Sequence, residues 1–167
     1  MKQRLLLVLA IAAVAAACQN KKAETDKDTS SADTATASPV TLKMKWETEP
    51  RLTTCESVIH DEGNNVLYVA NINGAPDAKD GNGFISKVSL EGQITETEWV
   101  KGLDAPKGMG IHEGKLFVAD IDQVREIDIS SGKITGSHQI KGAKFLNDIT
   151  IGAGGKVYVS DTGTGII

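Results

Sequence analysis

The sequence predicts an all-β fold built from a repeated module, because one strand motif occurs three times. The motif reads NVLYVAN at Asn65–Asn71, KLFVAD at Lys115–Asp120 and KVYVSD at Lys156–Asp161. The central aromatic residues of the three copies are 49 and 41 residues apart. Repeats of about 40–45 residues made of short strands are typical of the blades of a β-propeller. The predicted fold is therefore a partial β-propeller.

Each module is predicted to contain four strands of alternating polarity, separated by turns rich in Gly, Asn and Asp. The first module has the predicted strands Glu56–His60, Asn65–Ile72, Gly83–Leu90 and Thr95–Val100. The second has Lys107–His112, Lys115–Ile121, Gln123–Ile129 and Lys133–Ile140, and the third has Asn147–Gly152 and Lys156–Thr162. The chain thus supplies about two and a half four-stranded blades.

A further outer strand is predicted at Leu42–Glu47, because Trp46 precedes the first module much as Trp99 precedes the second. A closed propeller has about four to eight blades and needs at least ~180 residues. The segment Thr41–Ile167 has 127. Two explanations remain: the chain is a fragment of a longer protein that holds the missing blades, or it is a short form that closes by self-association. We favour the fragment, because the sequence stops within a blade.

The N-terminal residues predict export and a lipid anchor. A basic start is followed by the apolar run Leu5–Ala17, which at thirteen residues is shorter than the ~20 that a membrane-spanning helix needs. Small residues then precede Cys18, as at the cleavage site of bacterial lipoproteins, with an ordinary secretory peptide as the alternative. We expect residues 1–17 to be a signal peptide and Cys18 to be lipidated. The protein would then lie in the bacterial cell envelope, facing the periplasm or the cell surface.

Composition limits the remaining possibilities. Residues 19–39 contain no large apolar side chain, so residues 18–40 are predicted to be a disordered tether to a folded domain at 41–167. With Cys18 lipidated, Cys55 is the only other cysteine, which excludes an internal disulfide. The net charge is −4 and the basic residues do not cluster, which argues against nucleic acid as a partner. GAGGK at Gly152–Lys156 connects two strands and does not open a helix, which argues against a nucleotide.

Three residues at the same repeat position form the candidate site. Glu56, Lys107 and Asn147 each open the first strand of a module, and the inner strands of a propeller line its central channel. Carboxylate and amide oxygens are ligands for hard cations such as Ca²⁺, Mg²⁺ or Mn²⁺. The alternative is that Glu56 forms an ion pair with Lys107 or accepts backbone hydrogen bonds. For Asn147 the alternative is an amide that caps a turn.

The sequence also resembles the gluconolactonase, or senescence-marker (regucalcin-like), propellers over Arg51–Ile167. The resemblance rests on ESV at Glu56–Val58 and on ND at Asn147–Asp148, together with the repeated YVAD-type strand. It implies six blades, one divalent metal on the ring axis, and hydrolysis of sugar lactones or related esters. Glu56 would be a metal ligand and Asn147 would lie at the metal and substrate. Phe145 stands where lactonases of this group often have Arg, which puts sugar-acid binding in doubt.

The functional hypothesis is therefore an exported, lipid-anchored propeller resembling metal-dependent sugar-lactone hydrolases. Its site would use Glu56 and Asn147 for the metal, and Asn147 and Lys107 for the substrate, with no catalytic residue assigned. Ca²⁺ is the first choice of metal, with Mg²⁺, Mn²⁺ or Zn²⁺ as alternatives. The competing hypothesis is a non-catalytic, NHL-like propeller that binds a ligand or a protein. Asn71, Asp120 and Asp161 recur at the end of every second strand, so we expect them to be structural.

Overall fold

The computed structural model describes residues 40–167, which form an all-β structure of two four-stranded antiparallel sheets and one two-stranded sheet. The first sheet contains β1 (Cys55–Asp61), β2 (Val66–Asn71), β3 (Gly83–Ser89) and β4 (Ile94–Leu103). The second contains β5 (Pro106–His112), β6 (Lys115–Asp120), β7 (Gln123–Asp128) and β8 (Lys133–Gln139). The third contains β9 (Leu146–Ile151) and β10 (Val157–Asp161), joined through a short 3₁₀ turn at Ala153–Gly155.

The predicted strands of the three modules are confirmed, with one clear difference in length. In each sheet the strands pair in chain order, so every sheet is a meander. The outer strand β4 extends to Leu103, three residues beyond its predicted end, because Leu103 pairs with Gly83 across an irregular register. Cys55 is a free, exposed thiol at the start of β1. Among residues 40–167, no helix is long and apolar enough to cross a bilayer.

The sheets pack face to face through the apolar side chains of their strands. Tyr68, Ile85, Leu116 and Ile127 belong to one buried cluster between the first and second sheets. Leu146 belongs to a second cluster, which joins the third sheet to β6 and β7. Burying side chains of this size contributes roughly 1.5–3 kcal/mol each. The first strands consequently lie side by side, with β5 in contact with both β1 and β9.

The predicted strand at Leu42–Glu47 is wrong, although its tryptophan takes the expected place. Residues 40–49 have no regular secondary structure, because no neighbouring strand pairs with their N–H and C=O groups. Trp46 packs on Gly92 in the turn between β3 and β4, and its indole N–H donates to the Leu90 carbonyl at 2.8 Å. Trp99 covers Gly132 in the turn between β7 and β8 in the same way. The two tryptophans are therefore equivalent in packing.

The polar residue that ends each second strand holds the segment that leads into the first strand of the same sheet. Asn71 accepts a hydrogen bond from the backbone N–H of Thr53, and Asp120 accepts from those of Asp104 and Ala105. In the third sheet, Asp161 does the same for the segment before β9. The structural role predicted for these residues is confirmed. Their main contact is this entering segment, although the sequence predicted the following turn.

We expect the third sheet to lose stability in acid because of Asp161. Burial by itself would raise the pKa of this carboxyl group, but backbone N–H groups of Lys144, Phe145 and Gly163, at 2.9–3.0 Å, outweigh it and lower the pKa to about 2. The folded state therefore binds the proton more weakly than the unfolded state does. The resulting stabilisation is complete above about pH 4 and is lost as the pH falls toward 2.

This expectation can be tested by measuring the urea midpoint between pH 5 and pH 2.5. The wild-type midpoint should fall over this range, and that of Asp161→Asn should fall less, because the variant has no carboxyl group to protonate. Glu98→Gln, which alters an exposed ion pair with Lys101, is the matched control and should follow the wild type. Identical pH dependence for wild type and Asp161→Asn would contradict this account.

Candidate functional site

A β-bulge recurs at the start of the first strand in all three sheets. The register between β1 and β2 shifts between Cys55 and Ser57, and that between β5 and β6 shifts between Pro106 and Met109. The register between β9 and β10 shifts opposite Asn147 and Asp148. Bulges change the direction of the side chains that follow and are frequent next to binding sites. The residues predicted for the site, Glu56, Lys107 and Asn147, thus sit at equivalent irregular positions on adjacent strands.

Glu56 is exposed on β1, and its carboxylate accepts no hydrogen bond within residues 40–167. Partial burial of the carboxylate and the charge of Asp148 raise the pKa of Glu56, and the Lys107 ammonium lowers it by a smaller amount. The Asp148 carboxylate on β9 is therefore near enough to the Glu56 carboxylate on β1 to disfavour the ionisation of Glu56. A cation placed between them would remove this repulsion.

Lys107 does not form the ion pair with Glu56 that the sequence left open. Only 1% of Lys107 is exposed, and its ammonium donates to the carbonyl oxygens of Pro76 and Ala105, each at 2.9 Å. It also lies 4.3 Å from the centre of the Phe145 ring, a cation–π contact. Burial lowers the pKa of Lys107, although Asp120, Glu56 and Asp77 oppose this. The ammonium is thus satisfied by contacts that do not include Glu56.

Asn147 and Asp148 open β9 beside β5. Asn147 is half-buried, and a Cβ added to Gly108 would lie 2.5 Å from its carbonyl oxygen, so the two strands approach each other closely. Asp148 is exposed, and its backbone N–H donates to the Ser160 hydroxyl at 3.0 Å. The sequence analysis gave Asp148 no role in the site and so missed its carboxylate as a candidate ligand. Strand alternation predicts opposite faces for Asp148 and Asn147, and the bulge interrupts this alternation.

The oxygen atoms near Glu56 are of the types that bind hard cations. Glu56 and Asp148 provide two carboxylates, and Asn147 provides an amide oxygen, all three being ligand types that Ca²⁺ and Mg²⁺ accept. Among residues 40–167, no three or more His, Cys, Asp or Glu side chains are grouped so that they could hold a metal ion by themselves. Cys18, the predicted lipidation site, lies outside the described residues.

The cavities of the described residues do not favour the predicted site. A small cavity of 130 Å³ beside β1 is lined by Cys55, Glu56, Ser57, Val58 and Val69. A larger one of 620 Å³ lies at the other end of the strands, between the turns that follow β1 and β5. Its lining is mixed, with ion-paired lysines and apolar residues. The chemistry of the side chains, and not the volume, therefore identifies the candidate site.

The sequence was compared with family models and with curated proteins. Neither the family models nor the curated proteins compared with this sequence give a match. The resemblance to the gluconolactonase propellers consequently rests on the motifs quoted above, among which Glu56 and the Asn147–Asp148 pair carry the chemistry.

Proposed function

We propose that this chain is an exported, lipid-anchored β-propeller protein that binds a divalent cation at the end of its first strands. Six blades, about two and a half of them within this sequence, would place β1, β5 and β9 around a central channel. Glu56, Asn147 and Asp148 would hold the ion, with Ca²⁺ as the first choice. The anchor would be Cys18, in the bacterial cell envelope.

One observation carries the proposal of a cation site. Burial and the neighbouring Asp148 raise the pKa of Glu56, and Lys107, the one cation that acts on Glu56 among residues 40–167, is already bonded to Pro76 and Ala105. Unneutralised carboxylates on β1 and β9, the two strands that flank β5, are a favourable place for an ion with oxygen ligands. Equivalent bulges bring these residues to the same end of the sheets.

The reaction that best suits such a site is hydrolysis of a sugar lactone or related ester. A bound divalent ion would supply Lewis-acid polarisation of the substrate carbonyl. Asn147 would orient the substrate by a hydrogen bond from its amide. Lys107 is a poor substrate contact, because its ammonium is buried and two of its donors are engaged.

The second candidate is a non-catalytic propeller that binds a ligand or a protein partner. The buried state of Lys107 favours it, because this residue then serves the architecture of the site and contributes nothing to a reaction. The two candidates share the cation site and differ in turnover. Assaying lactone hydrolysis by the full chain with and without Ca²⁺ separates them: Ca²⁺-dependent hydrolysis supports the enzyme, and cation binding without hydrolysis supports the binder.

The cation site itself is tested by titrating the full chain with Ca²⁺ and with luminescent Tb³⁺. We expect Glu56→Gln to weaken binding at least about tenfold, because carboxylate count sets the affinity of such sites. Affinity should also fall in acid, as Glu56 is protonated. Because the pKa of Glu56 is raised, this fall should begin at a higher pH than an ordinary glutamate would give. Glu62→Gln, in the turn after β1, is the matched control and should bind as the wild type does. Equal affinity for wild type and Glu56→Gln would remove the basis of the proposal.

A further inference from the structure

The long loop Asn73–Asn82 is attached beside the candidate site at its beginning and beside the second sheet at its end. The N–H groups of Ile72 and Asn73 donate to the carbonyls of Thr54 and Thr53, directly before β1 and Glu56. At the far end, the Gly81 N–H donates to the Asp104 carboxylate at 3.0 Å. The loop therefore runs from the residues next to Glu56 to the segment that leads into β5.

The middle of this loop is held by one buried ammonium group. Lys107 donates to the Pro76 carbonyl at 2.9 Å, and the same Nζ contacts the Ala105 carbonyl and the Phe145 ring. Pro76 belongs to the loop of the first sheet, Ala105 precedes β5 in the second, and Phe145 precedes β9 in the third. A single side chain thus connects all three modules at the end where the candidate site lies.

The cost of burying Lys107 indicates that this connection is specific. Lysine is almost never fully buried unless it is paired, and a buried charge is tolerated only when hydrogen bonds replace its hydration. Here the direct partners are neutral carbonyls and an aromatic face, while Glu56, Asp77 and Asp120 compensate the charge from further away. The exposed Lys79, which pairs with Asp122 at 2.5 Å, holds the same loop at lower cost.

We propose that Lys107 is a positioning residue that fastens the Asn73–Asn82 loop as a rim beside the Glu56 site, and that it does not contact the ligand itself. This inference rests on the proposed function only in assigning a ligand to that site. This positioning role for Lys107 stands in place of the substrate-binding role that the sequence suggested. The rim would limit the size of what reaches Glu56, and the ammonium would weaken cation binding there.

The test compares hydrogen exchange of the full-length wild type, Lys107→Met and Lys79→Met. Lys107→Met keeps the apolar stem but removes the donors, so amides within residues 74–82 should exchange at least about tenfold faster while those of β6 and β7 keep their protection. Lys79→Met, which removes a more exposed attachment of the same loop, should change exchange less. Unchanged exchange in the loop, or a uniform increase across all sheets, would overturn the inference.

A second measurement on the wild type applies even if Lys107→Met does not fold. An amine-reactive label should modify Lys79 in the native protein and reach Lys107 only after unfolding in urea. Equal labelling of both lysines in the native state would show that the ammonium does not hold the loop.

Titration with Tb³⁺ separates this inference from the proposed function. Because the variant lacks a nearby positive charge, Lys107→Met should bind Tb³⁺ about tenfold more tightly than the wild type. If neither protein binds Tb³⁺, the cation site fails while the exchange result still decides the role of Lys107. If both bind with equal affinity, the ammonium does not act on Glu56, and that part of the inference is wrong.

Discussion

Replacing Asp120 with alanine is expected to lower the free energy of unfolding by about 3–5 kcal/mol, the range observed when one partner of a buried ion pair is removed. Asp120 is completely buried and accepts from two backbone N–H groups as well as from the Arg125 guanidinium, at 2.8–3.1 Å. Alanine would leave these donors without an acceptor in the interior. Urea denaturation followed by tryptophan fluorescence measures the change, since Trp99 packs on the second sheet.

In the first sheet, a neutral side chain accepts the equivalent backbone hydrogen bond. This difference allows a sharper experiment. Asn71 occupies the place of Asp120. Ser86 occupies that of Arg125, because Ser86 pairs with the residue two before Asn71 and Arg125 with the residue two before Asp120. The Asn71 amide donates to the Ser86 hydroxyl at 3.0 Å. Asp120→Asn alone should be destabilising, because Arg125 keeps its charge and loses its partner. Adding Arg125→Ser should recover about 1–3 kcal/mol of this loss through coupling of the two sites.

Glu98→Ala is the control for Asp120→Ala, because it removes one partner of an exposed ion pair with Lys101. Such pairs contribute about 0–1 kcal/mol. If Asp120→Ala lowers the free energy of unfolding no more than Glu98→Ala does, the hydrogen bonds and ion pair of Asp120 are not required for stability. Strict additivity of Asp120→Asn and Arg125→Ser would show that the two side chains do not act as a unit.

The sequence predicts the strands well because their signal is local. Alternation along Lys115–Ile121 and the turn residues after it predict β6 to within one residue at its end, and the three copies reinforce one another. The strand predicted at Leu42–Glu47 had the same alternation, yet it does not form. A strand needs a neighbour to pair with, and the alternation of a segment carries no information about whether that neighbour is present.

The site was harder to predict, because it depends on irregular features. The repeat correctly aligned Glu56, Lys107 and Asn147, since the bulge lies at the same position in each sheet. Alternation could not indicate that Asp148 also acts on Glu56, because a bulge breaks the two-residue period. Nor could it indicate that Lys107 bonds to Pro76, which is 31 residues away in a loop without regular structure. Contacts of this kind follow from packing and not from local pattern.

Gly108→Ala is expected to lower the stability of the protein strongly, because β5 and β9 approach each other closely at this glycine. A Cβ at this position would lie 2.5 Å from the Asn147 carbonyl oxygen and 2.6 Å from the Asp148 Cα. These atoms belong to the backbone and cannot rotate away, so the strands must separate. We expect a loss of about 3 kcal/mol, the upper part of the range for overpacking, together with loss of the proposed cation binding because Glu56 and Asp148 move apart.

Gly136→Ala is the matched control, since the three atoms nearest to an added Cβ there belong to the side chains of His138 and Glu126, at 3.1–3.5 Å, and none belongs to the backbone. It should change stability by less than about 1 kcal/mol, because an alanine is tolerated in a strand at least as well as glycine. Hydrogen exchange locates the damage: in Gly108→Ala, β9 and β10 should lose protection while β6 and β7 retain it. Full protection of β9 in this variant would show that the third sheet does not depend on contact with β5, and the candidate site would then lack the framework that brings its carboxylates together.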